Sequence, residues 1–210
     1  MRKGTLITFE GPEGSGKSTH IQLLAGYLKK RRFRVRVTRE PGGTALANVL
    51  RKVLLETGEG LSSLAELFLY EADRAQHVEE TLLPALKRGD IVLCDRYTDS
   101  TLAYQGDGRG LDKRVIRTLN TIASQKLAPH LTILLDVPAE RGLRLAAKKK
   151  NGNDRLERAG LAFHKRVRAA YLRQARQEPR RFRMIRQQSD LNETQRLIRE
   201  AVDRFLWLSR

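Results

Sequence analysis

The sequence predicts an α/β protein built on a five-stranded parallel sheet with helices on both faces. Short apolar runs of β-prone residues alternate with segments of helical spacing, which is the order of a parallel sheet with crossover helices. The chain has 210 residues, 40% of them hydrophobic, which is enough for one domain with its own core. We therefore expect a single domain over residues 1–210. The single cysteine, Cys94, excludes an intramolecular disulfide framework and a zinc site of several cysteines.

The strands are predicted from short apolar or alternating segments. The first run ends at a glycine cluster, and in the second Val35 and Val37 alternate with arginine residues. The third and fourth runs are apolar along their length, as expected for strands that helices cover on both faces. The predicted strands cover residues 6–9, 35–37, 91–94, 131–137 and 181–186.

The helices are predicted from apolar side chains spaced three or four residues apart. In the first helix Ile21, Leu24 and Leu28 fall on one face. Pro84 predicts a kink within a long helical stretch, and Pro138 suits the first turn of a helix. The predicted helices cover residues 17–31, 45–56, 63–88, 112–126, 139–149, 160–177 and 192–207.

The chain is strongly basic, with 41 lysines and arginines against 24 aspartates and glutamates and a formal net charge of +17. Such a charge first suggests a nucleic-acid partner. However, residues 141–186 contain 16 basic and 3 acidic side chains, so most of the excess lies in one segment. A nucleic-acid groove, a site for a polyanionic small substrate and a solvated basic surface all stay open for this segment. No apolar run approaches the roughly 18–20 residues that span a bilayer and no signal peptide is recognised, so we expect a cytoplasmic protein.

Residues 11–18 fit the phosphate-binding pattern G-x-x-x-x-G-K-[ST], and they lie between a predicted strand and a predicted helix. Glycines let backbone N–H groups approach phosphate oxygens, and the helix N-terminus adds its positive dipole end. Lys17 would reach the β and γ phosphates of ATP, and Ser18 would hold Mg²⁺. The motif in this context predicts the P-loop NTPase fold. The predicted ATP-binding residues are Gly11, Pro12, Glu13, Gly14, Ser15, Gly16, Lys17, Ser18, Thr19 and Arg144.

Other motifs narrow the class of P-loop protein. The N-K-x-D motif of GTPases and the L-S-G-G-Q signature of ABC-type ATPases are absent from the sequence. The third predicted strand ends at Asp95 and Arg96, which suggests one group for a metal and one for an anionic acceptor. Because ligands bind at the carboxyl ends of parallel strands, Arg39, Arg74 and Arg96 are predicted to converge on one phosphate through bidentate contacts.

Five motifs occur in the order seen in bacterial thymidylate kinases, and this resemblance covers the chain from residue 5 to about residue 205. The R-E-P-G-G-T and D-R-Y strings discriminate far more sharply than the phosphate loop alone. The resemblance implies ATP-dependent phosphorylation of dTMP, with Mg²⁺, by a protein that forms a two-fold homodimer. The motifs are F-E-G-x4-G-K-S-T at 9–19, R-E-P-G-G-T at 39–44, A-D-R at 72–74, D-R-Y-x2-S-x3-Y-Q-G at 95–106 and D-R-L-E at 154–157.

The resemblance also implies how the sugar and phosphate of dTMP are held. Glu13 would meet the sugar 3′-hydroxyl, and Tyr104 would crowd the 2′ position and so favour deoxyribose. The three arginines named above would hold the phosphate. The implied dTMP-binding residues are Glu13, Arg39, Tyr70, Arg74, Arg96, Ser100, Thr101, Tyr104 and Gln105.

The thymine base has its own implied contacts. Tyr70 stands where the family usually has phenylalanine and would stack on the base, with its hydroxyl group needing water or a partner. Ser100 or Thr101, together with Gln105, would read the polar edge of thymine.

A basic lid is predicted at about 146–158, and its closure would exclude water as a competing acceptor. Since the variable positions of the P-loop hold no arginine, the resemblance implies the type of enzyme that carries its catalytic arginine in the lid. Arg155 would stabilise charge at the transferring phosphoryl group, with Arg144 and the lysines at 148–150 as alternatives or helpers. The acceptor is an ionised phosphate oxygen, so neither a covalent intermediate nor a strong general base is required. The predicted catalytic residues are Lys17, Asp95, Arg96 and Arg155, and the predicted metal-binding residues are Ser18 and Asp95.

Two further functions stay open at the level of sequence. A related P-loop kinase of another nucleoside or nucleotide would accept UMP as readily as dTMP. A nucleic-acid-binding ATPase would show ATP hydrolysis stimulated by DNA or RNA and a steep salt dependence of binding. We expect ATP and dTMP as partners, and neither nucleic acid nor a membrane.

Overall fold

The structure is a computed structural model, and it describes residues 4–56, 60–148, 155–156 and 158–208. Its five strands form one sheet in the order β2-β3-β1-β4-β5, and all four pairings are parallel. The predicted five-stranded parallel sheet is therefore confirmed. The strands are β1 (Thr5–Glu10), β2 (Val35–Arg39), β3 (Ile91–Asp95), β4 (Leu131–Asp136) and β5 (Phe182–Arg186).

Helices connect each strand to the next, as the alternating sequence pattern predicted. The longest predicted helix, 63–88, is interrupted by a widened π-helical turn at Val78–Leu82, just before Pro84. Proline has no amide N–H for the usual helical bond, so the interruption falls where that bond is missing. The helices are α1 (Lys17–Lys30), α2 (Ala45–Glu56), α3 (Ser63–His77), α4 (Leu83–Lys87), α5 (Thr98–Thr101), α6 (Lys113–Ala123), α7 (Ala139–Ala147), α8 (Leu161–Gln177) and α9 (Leu191–Leu208).

Both faces of the sheet are covered by apolar side chains. On one face Ile7 and Phe9 of β1 pack with Leu24 of α1 and Val202 of α9. On the other face Leu6 belongs to a separate buried cluster with side chains of α4 and β3. Successive residues of a strand point to opposite faces, so the apolar run of β1 supplies both cores.

The strand register places three chain segments next to one another at the carboxyl edge of the sheet. Phe9 of β1 pairs with Asp95 of β3, and Asp95 pairs in turn with Arg39 of β2. The loops that follow these strands therefore leave the sheet side by side. This edge is where ligands bind in open parallel sheets.

One helical segment was not predicted from the sequence. Residues 98–108 are helical throughout, beginning as α5 and continuing in widened π-helical turns over Leu102–Gly108. The stretch contains two glycines, which disfavour a helix, but packing requires glycine at position 108. A Cβ atom there would lie 2.6 Å from Cε2 of Phe163 on α8. The helix tolerates glycine at position 108 because close packing against α8 stabilises this segment.

The basic excess of residues 141–186 is partly neutralised by acidic residues from other elements. Arg168 forms a bidentate pair with Asp136 at the end of β4, at 2.7 and 2.9 Å. Further pairs join α8 and β5 to the rest of the chain, so this segment is more than a free cationic surface. They are Lys165–Glu140, Arg173–Asp107 and Arg181–Asp99.

Most of the predicted lid lies outside the described residues, which omit 149–154 and 157. Its boundaries at about 146–158 therefore stay a prediction. Within the described ranges, none of the helices has the length and apolar character needed to cross a bilayer.

Candidate active site

A cleft at the carboxyl edge of the sheet brings together most of the residues predicted from the sequence. The predicted residues that line it are Glu13, Gly14, Ser15, Gly16, Lys17, Ser18, Arg39, Tyr70, Arg74, Asp95, Arg96, Ser100, Thr101, Tyr104 and Gln105. The remaining wall is formed by Glu40, Pro41, Arg51, Leu55, Tyr97 and Leu156. The predicted residues Gly11, Pro12, Thr19, Arg144 and Arg155 do not line the cleft.

The phosphate loop joins β1 to α1 and depends on glycine. Gly14 has a φ angle of 68°, in the left-handed region, and a Cβ atom there would lie 1.9 Å from the carbonyl oxygen of Gly142. Gly16 has a φ angle of 83° and caps the N-terminus of α1. Non-glycine residues are strained in this conformation, so these two positions fix the curvature of the loop.

Lys17 is buried beneath the loop, with 7% of its surface exposed. Its ammonium donates to the carbonyl oxygens of Gly11 at 2.9 Å and Pro12 at 3.1 Å, and to Oγ of Ser15 at 3.2 Å. Burial, together with repulsion from Arg96, lowers the pKa of Lys17 to about 8. The loop thus holds a cation that neutral carbonyl and hydroxyl oxygens only partly compensate. An anion in the loop would be a stronger acceptor than these groups.

Ser18 and Asp95 bring together two oxygen ligands. The hydroxyl of Ser18, at the start of α1, donates to Oδ2 of Asp95, at the end of β3, at 2.6 Å. A hydroxyl and a carboxylate oxygen side by side suit Mg²⁺, which prefers oxygen ligands and usually keeps several waters in its coordination shell. In the described residues, no cluster of three or more His, Cys, Asp or Glu side chains is placed to hold a metal. A Mg²⁺ ion at this pair would therefore share its coordination with phosphate or water oxygens.

Arg96 connects the phosphate loop to the segment after β3. It has a φ angle of 71°, and its guanidinium donates to Oε1 of Glu13 at 2.6 Å and to the hydroxyl of Tyr104 at 3.0 Å. The same Glu13 oxygen accepts from the Tyr104 hydroxyl at 2.8 Å. Burial raises the pKa of Glu13, but Arg96 and Lys17 outweigh burial and hold this pKa at about 2. Glu13 is therefore a carboxylate at neutral pH, held within the cleft wall.

Behind Arg96 lies a buried carboxylate, Glu10, that no motif identified as a site residue. It accepts from the Ser100 hydroxyl at 2.6 Å and from the Tyr171 hydroxyl at 3.0 Å. Burial, reinforced by repulsion from Asp99, raises the pKa of Glu10 to about 7. The Ser100 hydroxyl, which was predicted to contact the base, thus donates its hydrogen bond to Glu10.

Arg74 is almost wholly buried and donates four hydrogen bonds within the protein. One goes from Nε to Glu40 and one to Glu71, each at 2.9 Å, and a second guanidinium nitrogen lies 2.9 Å from the same Glu40 oxygen. The other two bonds go to Asn120 at 2.6 Å and to Thr101 at 3.0 Å. A direct bond from Arg74 to a phosphate would have to displace one of these partners. Arg39, by contrast, is exposed at the rim of the cleft.

Arg155 occupies a place that the sequence did not predict. Its Nε donates to the carbonyl oxygen of Leu54 at 3.2 Å, and its guanidinium pairs with the buried carboxylate of Glu66. The neighbouring Leu156 reaches the cleft wall, but Arg155 itself does not. The arginine expected at the transferring phosphoryl group therefore lies between α2 and α3 in this structure.

The structure does not place the alternative cations Arg144 and Lys148 in the cleft. Arg144 lies on the exposed side of α7, and Lys148, just after that helix, is also exposed. Lys149 and Lys150 lie outside the described residues, so their predicted role stays untested.

Sequence reasoning missed three groups that shape the site. Glu66 on α3 has no exposed surface and contacts both Gln105 and Arg155. Tyr171 on α8 is fully buried and reaches both Arg96 and Ser100. Neither Glu66 nor Tyr171 belongs to a short motif, and Glu10, although part of the motif at 9–19, was seen only as the end of a strand. For Tyr171 the available signal was a polar side chain on the largely apolar buried face of α8, whereas the buried face of α3 holds several charged side chains and gave no such signal for Glu66.

Comparison with known proteins gives a consistent result. The family model described as "Thymidylate kinase" matches residues 9–198. A thymidylate kinase of Citrifermentans bemidjiense is 47% identical over 205 residues, covering 95% of this chain and 91% of that protein. One from Desulfovibrio desulfuricans is 49% identical over 208 residues and covers 95% of both chains.

A solved structure is also similar along nearly the whole chain. The crystal structure of thymidylate kinase from Ehrlichia chaffeensis superposes with a TM-score of 0.79 at 33% sequence identity. The match covers 95% of this chain and 98% of that one. The shared fold therefore includes the sheet, the loop after β1 and the segments that line the cleft.

Proposed function

We propose how individual residues of this chain act in phosphoryl transfer from ATP to dTMP, starting from the finding that the chain belongs to the thymidylate kinase family. The family reaction gives dTDP and ADP. The observation that carries the residue assignment is the 2.6 Å ion pair between Arg96 and Glu13. It joins the phosphate loop to the segment after β3, so that the binding sites for donor and acceptor form one cleft.

The donor side is the phosphate loop. Its backbone N–H groups and the N-terminus of α1 receive the phosphates of ATP, and Lys17 exchanges its loop acceptors for phosphate oxygens. Because Lys17 is already desolvated, this exchange strengthens its hydrogen bonds without a further cost of burial. Lys17 thus neutralises charge that develops on the phosphoryl group during transfer.

The Ser18–Asp95 pair fits Mg²⁺, since it offers one hydroxyl and one carboxylate oxygen beside the phosphate loop. We propose that Ser18 is a direct ligand and that Asp95 acts through a bound water. When bound with ATP, the ion supplies charge neutralisation at the phosphates. Within the protein, the end of β3 keeps the Asp95 carboxylate in place by pairing with its neighbours in the sheet.

The acceptor phosphate is held by arginines at the strand ends. Arg96 faces the cleft from the end of β3, and Arg39 reaches it from the end of β2. Arg74, which is buried and hydrogen-bonded within the protein, acts as a positioning residue that fixes Thr101 and Glu40 in the wall. Alignment of the donor and acceptor phosphates for in-line transfer can then lower the barrier by roughly 7–11 kcal/mol.

The nucleoside is held by the remainder of the cleft. Tyr70 stacks on thymine, and Gln105 hydrogen-bonds its polar edge. Oε1 of Glu13 is occupied by Arg96 and Tyr104, which leaves Oε2 to accept from the sugar 3′-hydroxyl. Tyr104 is held rigidly by these bonds, so its ring restricts the space beside the sugar 2′ position.

Arg155 is proposed as the lid cation that acts during transfer, with Arg144 as the alternative. Arg155 pairs with Glu66 outside the cleft, and the next residue in the chain, Leu156, lines the cleft wall. Action at the phosphoryl group therefore requires Arg155 to leave Glu66 as the lid closes.

We further propose that the chain forms a homodimer in the cytoplasm. Four large apolar side chains are exposed on the adjacent helices α2 and α3, and burial in a subunit interface would remove them from water. The mass of the protein measured in solution tests this proposal. The four side chains are Leu46, Val49, Leu64 and Phe68.

The assignment of the nucleoside site is tested by Tyr70→Ala. Loss of one base–aromatic stack costs about 1–3 kcal/mol, so the KM for dTMP should rise at least fivefold. The KM for ATP should stay within about threefold, because the proposed ATP contacts come from the phosphate loop and not from Tyr70. Tyr70→Phe keeps the ring and should retain most of the affinity for dTMP. Equal rises in both KM values would contradict the assignment.

A further inference from the structure

Glu66 is a carboxylate with no exposed surface, located on α3 behind the wall of the cleft. Its Oε1 accepts from Nε2 of Gln105 at 2.6 Å and from Nε of Arg109 at 3.3 Å. Its Oε2 pairs with Arg155 and accepts from Arg109 at 3.3 Å. Two arginines therefore compensate the buried charge, and the amide of Gln105 is its one neutral partner among the described side chains.

This contact determines which way the amide of Gln105 faces. An ionised carboxylate can only accept hydrogen bonds, so the –NH₂ end of the amide must point to Glu66. The carbonyl oxygen of the amide then points away from Glu66. Gln105 is 2% exposed and lines the cleft, and no donor from the described residues reaches its amide oxygen. The amide oxygen of Gln105 therefore presents a hydrogen-bond acceptor to the cleft.

An acceptor there distinguishes pyrimidine bases. Thymine carries a hydrogen on N3 and can donate to the amide oxygen, whereas N3 of cytosine is itself an acceptor. Two facing acceptors leave a buried polar group unpaired, and sites built on a hydrogen bond reject such analogues strongly. The opposite orientation of the same amide would invert this preference.

We propose that Glu66 is a specificity-determining positioning residue, which holds the Gln105 amide with its oxygen toward the cleft and so selects a base that has a hydrogen on N3. This inference rests on the proposed function in one respect, namely that Gln105 contacts the base. Glu66 touches neither substrate, and its effect on the choice of base is exerted through Gln105.

The first test compares kcat/KM for dTMP and dCMP in the wild type and in Glu66→Gln. An amide at position 66 can donate to the oxygen of Gln105, which frees the –NH₂ end of Gln105 to face the cleft. The ratio of kcat/KM for dTMP over dCMP should then fall at least tenfold, through KM more than through kcat. Glu79→Gln makes the same chemical change at an exposed glutamate that precedes α4 and should leave the ratio unchanged within about twofold. An unchanged ratio in folded Glu66→Gln would overturn the inference.

The second test exchanges the two groups in Glu66→Gln/Gln105→Glu. The amide at position 66 then donates to a carboxylate at position 105, whose other oxygen again offers an acceptor to the cleft. The ratio should recover at least half of its loss on a logarithmic scale, which a purely structural role of Glu66 does not predict. Failure to recover in a folded double variant would count against the inference.

Two controls keep the outcomes separable. Gln105→Leu should lose dTMP selectivity by itself, and if it keeps wild-type kcat/KM and selectivity, the proposed contact between Gln105 and the base is wrong. If Gln105→Leu loses selectivity while Glu66→Gln keeps it, the base contact stands and the role of Glu66 is wrong.

Should Glu66→Gln fail to fold in thermal melts, Glu66→Asp retains the charge for both arginines but shortens the reach to the amide. Its dTMP/dCMP ratio should also fall, and an unchanged ratio would overturn the inference.

Discussion

Arg155 forms an ion pair with Glu66, so a cation predicted to serve the reaction is bound to a buried carboxylate between two helices. Its Nε also donates to the carbonyl oxygen of Leu54 at the end of α2. The pair gives Arg155 a defined place outside the cleft. Its participation in transfer therefore requires an exchange of the Glu66 carboxylate for a phosphoryl oxygen, a change from one anionic partner to another.

Arg155→Ala is expected to reduce turnover more than tenfold while the KM for dTMP changes little. A lid arginine stabilises charge that develops only in the transition state, so its loss lowers kcat rather than binding. Steady-state release of ADP measures this, with thermal melts to confirm folding. Arg144→Ala is the comparison, because Arg144 is exposed on α7. A nearly normal rate for Arg155→Ala would move the role to Arg144 or to a lid lysine.

Lys17→Met is expected to reduce turnover more than tenfold without unfolding the protein. The substitution removes the buried cation of the phosphate loop but keeps an unbranched side chain of similar length. Because Lys17 is bonded only to acceptors of its own loop, its loss relieves the burial of a charge and should not lower the melting temperature by more than a few degrees. ADP release and a thermal melt decide the point. A fully active Lys17→Met protein would refute the assignment of the loop.

Ser18→Ala is expected to raise the Mg²⁺ concentration for half-maximal rate at least tenfold. The change removes one of two oxygens that lie 2.6 Å apart beside the phosphate loop. Thr118→Ala is a matched control, because it removes an exposed hydroxyl on α6 that does not line the cleft, and it should leave the Mg²⁺ requirement within about threefold. A Mg²⁺ titration at saturating ATP compares them. Equal shifts in both variants would show that Ser18 has no special part in metal binding.

Glu10 is expected to make the stability of the protein depend on pH. Its pKa in the folded state is about 7, because burial and Asp99 raise it more than Arg96 and the Ser100 hydroxyl lower it. Between about pH 4.5 and 7 the folded protein keeps a proton that the unfolded chain has lost, so the contribution of Glu10 to stability falls as pH rises through this window. Above pH 7 the contribution is constant.

Glu10→Gln removes this titration. The free energy of unfolding of the wild type minus that of Glu10→Gln should therefore decrease from pH 5 to pH 8 by on the order of 3 kcal/mol at most, since one pKa unit is worth about 1.4 kcal/mol. Urea unfolding at both pH values measures it. A difference that is the same at pH 5 and pH 8 would show that Glu10 titrates near its ordinary pKa.

The sheet could be predicted because each strand has a local sequence signal, namely an apolar or alternating run next to a turn. The residues after β1, β2 and β3 could also be placed together, because the carboxyl ends of parallel strands share one edge. The helix over residues 98–108 could not, because the need for glycine at position 108 is explained only by close contact with Phe163 on α8. That contact joins segments more than fifty positions apart.

The partners of individual side chains were the least predictable feature. Arg74 carries a motif that suggests a phosphate ligand, yet its N–H groups are used by residues from four separate parts of the chain. Glu66 has no motif and becomes important only because α3 faces Gln105 and Arg155. Such roles depend on tertiary packing, so a single sequence shows the residue type without the partner.

The most direct test of the account is the acceptor specificity of the purified protein. ADP release is measured with saturating MgATP and with dTMP, dUMP, UMP, CMP and AMP as acceptors. The account predicts that dTMP has the highest kcat/KM and that UMP, CMP and AMP are at least 100-fold poorer, because Tyr104 and the Gln105 amide select deoxyribose and a base with a hydrogen on N3. Equal activity with UMP and dTMP would contradict it.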